Sequence, residues 1–243
     1  PRACGDFSPL SLAALTSRLA RMNTLESAGH LLSSYVTYGV MTDDAQFDDT
    51  FLELAPLVPA DCRRTPASAY RVVIISRGDH EALWAGTPLR LRPRAFGSWT
   101  RSEHAARLYL RDRCHHADDD KMLLIVRKDL EPDSCLVDVV ALYEKLGWDH
   151  PDVEEWTTYV EWEQELIIRQ SERLLKISAD DVVAAYSPKD PEAVRPFDGE
   201  RVWNPVTEDF VEISHVLGKQ PGAAAGTWRV EIDGDEQAVC WDL

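Results

Sequence analysis

Four short apolar runs constrain this chain more than any other feature. Tyr70-Arg71-Val72-Val73-Ile74-Ile75 is β-branched and brief, so it predicts a buried strand rather than a helix. Met122–Val126, Cys135–Val140 and Glu165–Ile168 repeat the pattern. Helix-type stretches fall around them, over Asp48–Leu57, His80–Ala85, Ser102–Leu110 and Ala141–Leu146. The third carries Ala105, Ala106, Leu108 and Tyr109, with a cap near Thr100 or Ser102. Leu89-Arg90-Leu91-Arg92 alternates strictly, as a strand does, and Leu174–Tyr186 is β-rich. Cys114–Asp120 is polar and reads as a loop. Strands and helices in this mixture predict an α+β core over residues 66–187.

The flanks differ. Leu12, Leu15, Leu19 and Met22 repeat at helical spacing behind Ser8-Pro9, and a second helix is expected from Thr24 to about Tyr38. Residues 1–65 therefore read as an N-terminal helical segment. Beyond Pro188 the chain is broken by Pro191, Pro196, Pro205 and Pro221. Two hairpins are expected there, over Arg201–Ile213 and over Thr227–Trp241 around Asp233-Gly234-Asp235. Residues 188–243 read as a small β appendage.

Charge removes some functions. With 42 acidic against 26 basic residues the formal net charge is -16. Nonspecific grip on a phosphate backbone, or docking on an anionic membrane, needs clustered cations instead. Apolar residues at 44% are enough for a folded core, and no run approaches membrane-span length. Five scattered cysteines without a CxxC pair indicate neither a zinc site nor a disulfide framework. The opening Pro1–Asp6 holds no apolar signal region, so a reducing cytoplasm is the expected setting.

Three segments carry candidate chemistry. Arg71 interrupts an apolar strand, which is costly unless the guanidinium meets an anion. That anion is either a structural carboxylate or a bound diphosphate gripped at two points. Phe96-Gly97-Ser98-Trp99-Thr100 precedes a helix and reads either as a cap turn or as a hydroxyl-bearing strand end. Glu161-Trp162-Glu163-Gln164-Glu165 alternates acids directly before Leu166-Ile167-Ile168. In an extended strand Glu163 and Glu165 would share a face about 7 Å apart. A solvated acidic edge has this pattern too, as does a catalytic pair. His115-His116 with Asp118-Asp119-Asp120 invites a metal reading, but adjacent residues rarely converge on one ion, and no metal is expected.

The order of these segments resembles the Arg-Ser-Glu class of mono-ADP-ribosyltransferases. That family includes bacterial toxins, vertebrate arginine-specific ecto-enzymes and bacteriophage enzymes acting on host proteins. An arginine in a first strand, Phe-x-Ser-x-Thr before an Ala-rich helix, and Glu-x-Glu before Leu-Ile-Ile cover roughly residues 70–186. The chain departs from the family at Trp99, where Ser or Thr is usual, at Thr100, where Ser is common, and at Arg71-Val72, where Arg-Gly is usual. Arg77-Gly78 is a second candidate for the arginine, Arg71 the preferred one.

The resemblance implies a split β-sandwich core with NAD as substrate. It implies Glu165 as the carboxylate beside the reacting ribose carbon, oriented by Ser98. It implies Arg71 at the diphosphate or the adjacent ribose oxygens, with Tyr70, Ser98, Trp99 and Thr100 also lining the dinucleotide. Glu163 at the first acidic position implies an arginine acceptor on a target protein. The setting implied is that of a toxin or a bacteriophage effector. Two other readings stay open. One is transfer to a nucleic acid or small molecule, for which Arg90, Arg92, Arg94, Arg101 and Arg107 offer a local basic face. The other is a catalytically silent acidic binding protein on the same fold.

Overall fold

A computed structural model describes residues 28–29, 45–114, 116–147, 164–204, 209–223 and 227–240. The protein is mixed α+β, with a mainly antiparallel sheet core and few helices among the described residues. It divides into two compact units. Unit 1 takes in the chain up to Ala69, Leu91–Arg101 and Asp129–Lys176, and unit 2 takes in Tyr70–Arg90, Ser102–Lys128 and the chain from Ile177 onward.

In unit 1, helix α1 (Ala45–Leu54) runs into 3-10 turns over Ala55–Leu57 and Ala60–Arg63. The predicted Asp48–Leu57 helix therefore begins earlier and tightens at Pro56. Strand β3 (Phe96–Thr100) pairs antiparallel with β6 (Glu165–Arg169), and β6 pairs antiparallel with β5 (Cys135–Asp138). The expected strand Cys135–Val140 stops at Asp138, because the Asp138 carboxylate accepts from the Ala141 N–H at 3.3 Å and starts helix α4 (Val139–Leu146). That helix ends at Gly147, whose φ of 93° is left-handed. One core joins Phe51, Ala55, Val58 and Cys62 to Phe96, Val137, Leu142, Tyr143 and Ile167. The Cys135 N–H donates to Thr65 Oγ1 at 3.0 Å, and Lys145 is paired with Asp61, fastening the 3-10 segment to β5 and α4. The helices expected over 8–38 lie outside the described residues, except that 28–29 are helical.

In unit 2, β4 (Lys121–Asp129) lies between β1 (Ser68–Ser76) and β8 (Val182–Tyr186). Leu123, Leu124, Ile125 and Val126 are fully buried, so both faces of β4 are covered and the run lacks alternation. Helix α2 (Arg77–Trp84) is capped by Ser76, whose Oγ accepts from the Asp79 N–H at 3.0 Å. Helix α3 (Glu103–Cys114) lays Ala106, Leu110 and Cys114 against Leu123 and Ile125. Ser102, not Thr100, caps it, with Oγ accepting from the Ala105 N–H. The alternating Leu89–Arg92 segment is strand only at β2 (Leu89–Arg90). Leu174–Tyr186 is not continuous β: Glu172–Leu175, still in unit 1, is a helical turn (α5), followed by β7 (Lys176–Ile177), a 3-10 turn and β8. The buried Lys128 ammonium is matched by Asp181 at 2.6 Å.

The expected C-terminal hairpins form as β9 (Arg201–Asn204) with β10 (Asp209–Glu212), and β12 (Thr227–Ile232) with β13 (Asp235–Cys240). Asp233 and Gly234 both have positive φ, 53° and 86°, as a type I′ turn requires. A further strand, β11 (His215–Lys219), pairs with β12 around a bulge before Gly218. Arg111 of α3 ties this region down through a bidentate pair to Glu200, at 2.5 and 3.0 Å.

Cys62, Cys114 and Cys135 are free, buried thiols. Burial pushes Cys114 up to about 11 and Cys135 up to about 12, the latter with help from the Asp138 carboxylate. At pH 8 all three should resist alkylation in the native protein and react once it is unfolded. Peptide mass mapping after brief iodoacetamide treatment reads this. Prompt native labelling of Cys135 would contradict the packing.

Candidate functional site

The candidate site is built on one strand pair. The register of β3 and β6 is unbroken: Phe96 faces Arg169, Ser98 faces Ile167 and Thr100 faces Glu165. Side chains of directly opposed residues lie on the same face. Ser98, Thr100 and Glu165 therefore project from one face of unit 1, beside Phe96 and Ile167. The face passes from core at Phe96 to the surface at Ser98, leaving Thr100 and Glu165 half-buried. A carboxylate there keeps some water while sitting beside apolar surface.

Thr100, not Ser98, is the direct cross-strand neighbour of Glu165. Opposed pairs have Cβ atoms about 4.5–5.5 Å apart, and diagonal pairs such as Ser98 and Glu165 about 7–8 Å. Spacing within Phe-x-Ser-x-Thr could not reveal this, because both hydroxyls have the same parity. Trp99 has the other parity and is 2% exposed, so its ring belongs to the core rather than to an open face.

The strand does not extend back through Gln164. β6 begins at Glu165, and Gln164 has a φ of 43°, in the left-handed region that disfavours residues other than glycine. The expected side-by-side stance of Glu163 and Glu165 assumed extended backbone through Gln164, and that assumption fails. Glu163 lies outside the described residues, together with Glu161, Trp156, Tyr159 and Trp162. A non-glycine residue in this conformation costs of order 1–3 kcal/mol and persists where its surroundings enforce it. Here the Gln164 carbonyl accepts from the Arg101 N–H at 3.2 Å.

The other face of the same strands is wholly different. Asp138 opposes Leu166, which opposes Trp99. The Asp138 carboxylate is 5% exposed and ion-paired with Arg101, while also capping α4.

Arg71 and Tyr70 stand on β1 in unit 2. Tyr70 and Val72 pack against Ala106, Leu110, Leu123 and Ile125, whereas Arg71, of opposite parity, points to the other face and is half-buried. Arg77 is the first residue of α2, not a strand residue. Its guanidinium donates to the Asp119 carbonyl at 3.3 and 3.1 Å, and its N–H to the Asp120 carbonyl. That engagement makes it a loop anchor.

The supposed basic face is largely neutralised locally. Arg94 is paired with Asp48 at 2.7 Å, Arg101 with Asp138, and Arg107 with Glu103 at 2.7 Å. A phosphate would have to displace carboxylates from three of the five arginines. Among the described residues there is no grouping of three or more metal-ligating side chains, and no helix long and apolar enough to cross a membrane. His115 is outside the described residues. Comparison with protein-family models, curated proteins and solved structures finds no match for this chain.

Proposed function

We propose that the protein is a mono-ADP-ribosyltransferase that cleaves NAD and transfers ADP-ribose to an arginine of a target protein. The observation that carries this reading is the β3–β6 register, with two hydroxyls and one carboxylate on a single half-buried face. The split β-sandwich of that family belongs to the same proposal.

Breaking the nicotinamide–ribose bond leaves the anomeric carbon with oxocarbenium character, and nicotinamide departs with the bonding pair. A fixed carboxylate beside that carbon stabilises the charge as it develops. Glu165 supplies it, at the first residue of a strand whose backbone is pinned on both sides. Thr100 and Ser98 hold its orientation and approach the ribose hydroxyls. Arg71 is the residue for the diphosphate, since a guanidinium matches two phosphate oxygens at once.

An arginine side chain is protonated in water and a poor nucleophile. Glu163 would bind the guanidinium and take its proton as a nitrogen attacks the ribose carbon. Its substitution by glutamine should spare nicotinamide release and abolish transfer to arginine. Parallel assays of NAD hydrolysis and of agmatine modification separate the two, and equal loss of both removes Glu163 from the acceptor role. The reading as a whole is tested by incubating the protein with NAD and a cell lysate, then mapping ADP-ribose adducts by mass spectrometry. Adducts on arginine are expected. Absence of both nicotinamide release and adducts would leave a silent binding protein as the better account.

A further inference from the structure

We infer that the Arg101–Asp138 pair is a strap across the back of β6 that sets the position of Glu165, an inference that rests on the proposed activity for its catalytic meaning. Arg101 follows the last residue of β3, and Asp138 ends β5, with β6 between those two strands. Adjacent strands are about 4.8 Å apart, so the side chain of Arg101 must reach over about 10 Å of sheet to meet its partner. It makes that reach on the Leu166 face, opposite to the face from which Glu165 emerges.

Both ends of the strap are fixed. Asp138 is held in place by the Ala141 N–H at the start of α4. Arg101 is held through its own N–H, which donates to the Gln164 carbonyl. Gln164 is the residue in left-handed conformation, immediately before Glu165. One residue thus connects the left-handed Gln164, the end of β3 and the cap of α4. A surface ion pair would have no such consequence. This one has a buried carboxylate, 5% exposed, and an arginine still 47% exposed. The strap leaves Glu165 untouched, so Arg101 and Asp138 are positioning residues.

Arg101→Met, Asp138→Asn and the double variant test this in the full chain. Asn keeps the α4 cap, and the double variant leaves no buried charge unmatched, so it should fold with near-native Tm. Each variant should lower nicotinamide release at saturating NAD by about 10- to 100-fold through misplacement of the carboxylate, with KM for NAD unchanged. The double variant should be no worse than the singles, because both remove one device. Amide hydrogen exchange over Gln164–Leu166 should accelerate by roughly ten-fold in all three. Unchanged exchange in that segment overturns the strap, as does a loss of kcat that follows Tm alone. If the native protein releases no nicotinamide, the proposed activity fails, and the exchange result still decides whether the strap exists.

Discussion

Glu165→Gln is expected to lower nicotinamide release by about 10²- to 10³-fold, corresponding to roughly 2.7–4 kcal/mol of lost transition-state stabilisation. The amide is nearly isosteric with the carboxylate, so the change removes charge and little else. Glu165 is half-buried and its strand partner is Thr100, so the substitution should leave Tm within about a degree or two, as for other changes outside the core. KM for NAD should hardly move if the carboxylate acts on the transition state and not on the bound dinucleotide. Thr100→Val supplies the companion measurement, since it removes the directly opposed hydroxyl and keeps the β-branched shape. Its effect should exceed that of Ser98→Ala, which lies on the diagonal. Near-native turnover in Glu165→Gln would end the catalytic assignment whatever the fold.

Arg111→Leu is expected to cost about 3–5 kcal/mol, because it strands a buried carboxylate. Arg111 is 6% exposed and Glu200 4%, and they meet through two parallel hydrogen bonds. Glu200 also accepts from the Phe197 N–H at 3.2 Å, and Arg111 donates to the Arg195 carbonyl at 3.4 Å. Removal of the guanidinium therefore releases α3 from the chain that leads into β9. For a protein of this size each kcal/mol shifts Tm by about 2–4 °C, so a drop of roughly 6–20 °C should appear in a thermal melt. The Arg111→Leu/Glu200→Leu double variant should recover more than half of that drop, since no charge then remains in the core. An unchanged Tm in the single variant, or a double variant as poor as the two singles added, would show that the pair contributes little to holding unit 2 together. The ring of His104 stacked on Phe197 at 4.2 Å gives the same junction a second, charge-independent contact.

Much of the secondary structure was legible for local reasons. Tyr70–Ile75, Met122–Val126 and Glu165–Ile168 are rich in β-branched or apolar residues over lengths too short for helices, and each lies within a strand. The turn at Asp233-Gly234 was readable because only a few residue types accept positive φ twice in succession. Boundaries failed where a side chain decided them. Asp138 ends β5 two residues early by capping α4, and Ser76 starts α2 at Arg77. Leu174 and Leu175 look like strand residues by composition and are helical in the structure. β11 was missed because His215–Lys219 contains Gly218 and only weak alternation.

The candidate site divides in the same way. Residue types and their order along the chain are a property of the sequence: an arginine in one strand, two hydroxyls of like parity in a second, and a carboxylate at the head of a third. The resemblance implied Trp99 beside Ser98 at the dinucleotide, but a strand period of two puts it on the opposite face, and at 2% exposure it is core. What only tertiary structure decided was register and the breaks in it. Thr100 rather than Ser98 faces Glu165, Gln164 bends the backbone out of the extended form, and Arg101 crosses β6 to Asp138. Sequence encodes which way a side chain points along one strand, because that depends on a period of two. It does not encode which residue stands opposite, because that depends on how separate strands slide against each other until the core closes.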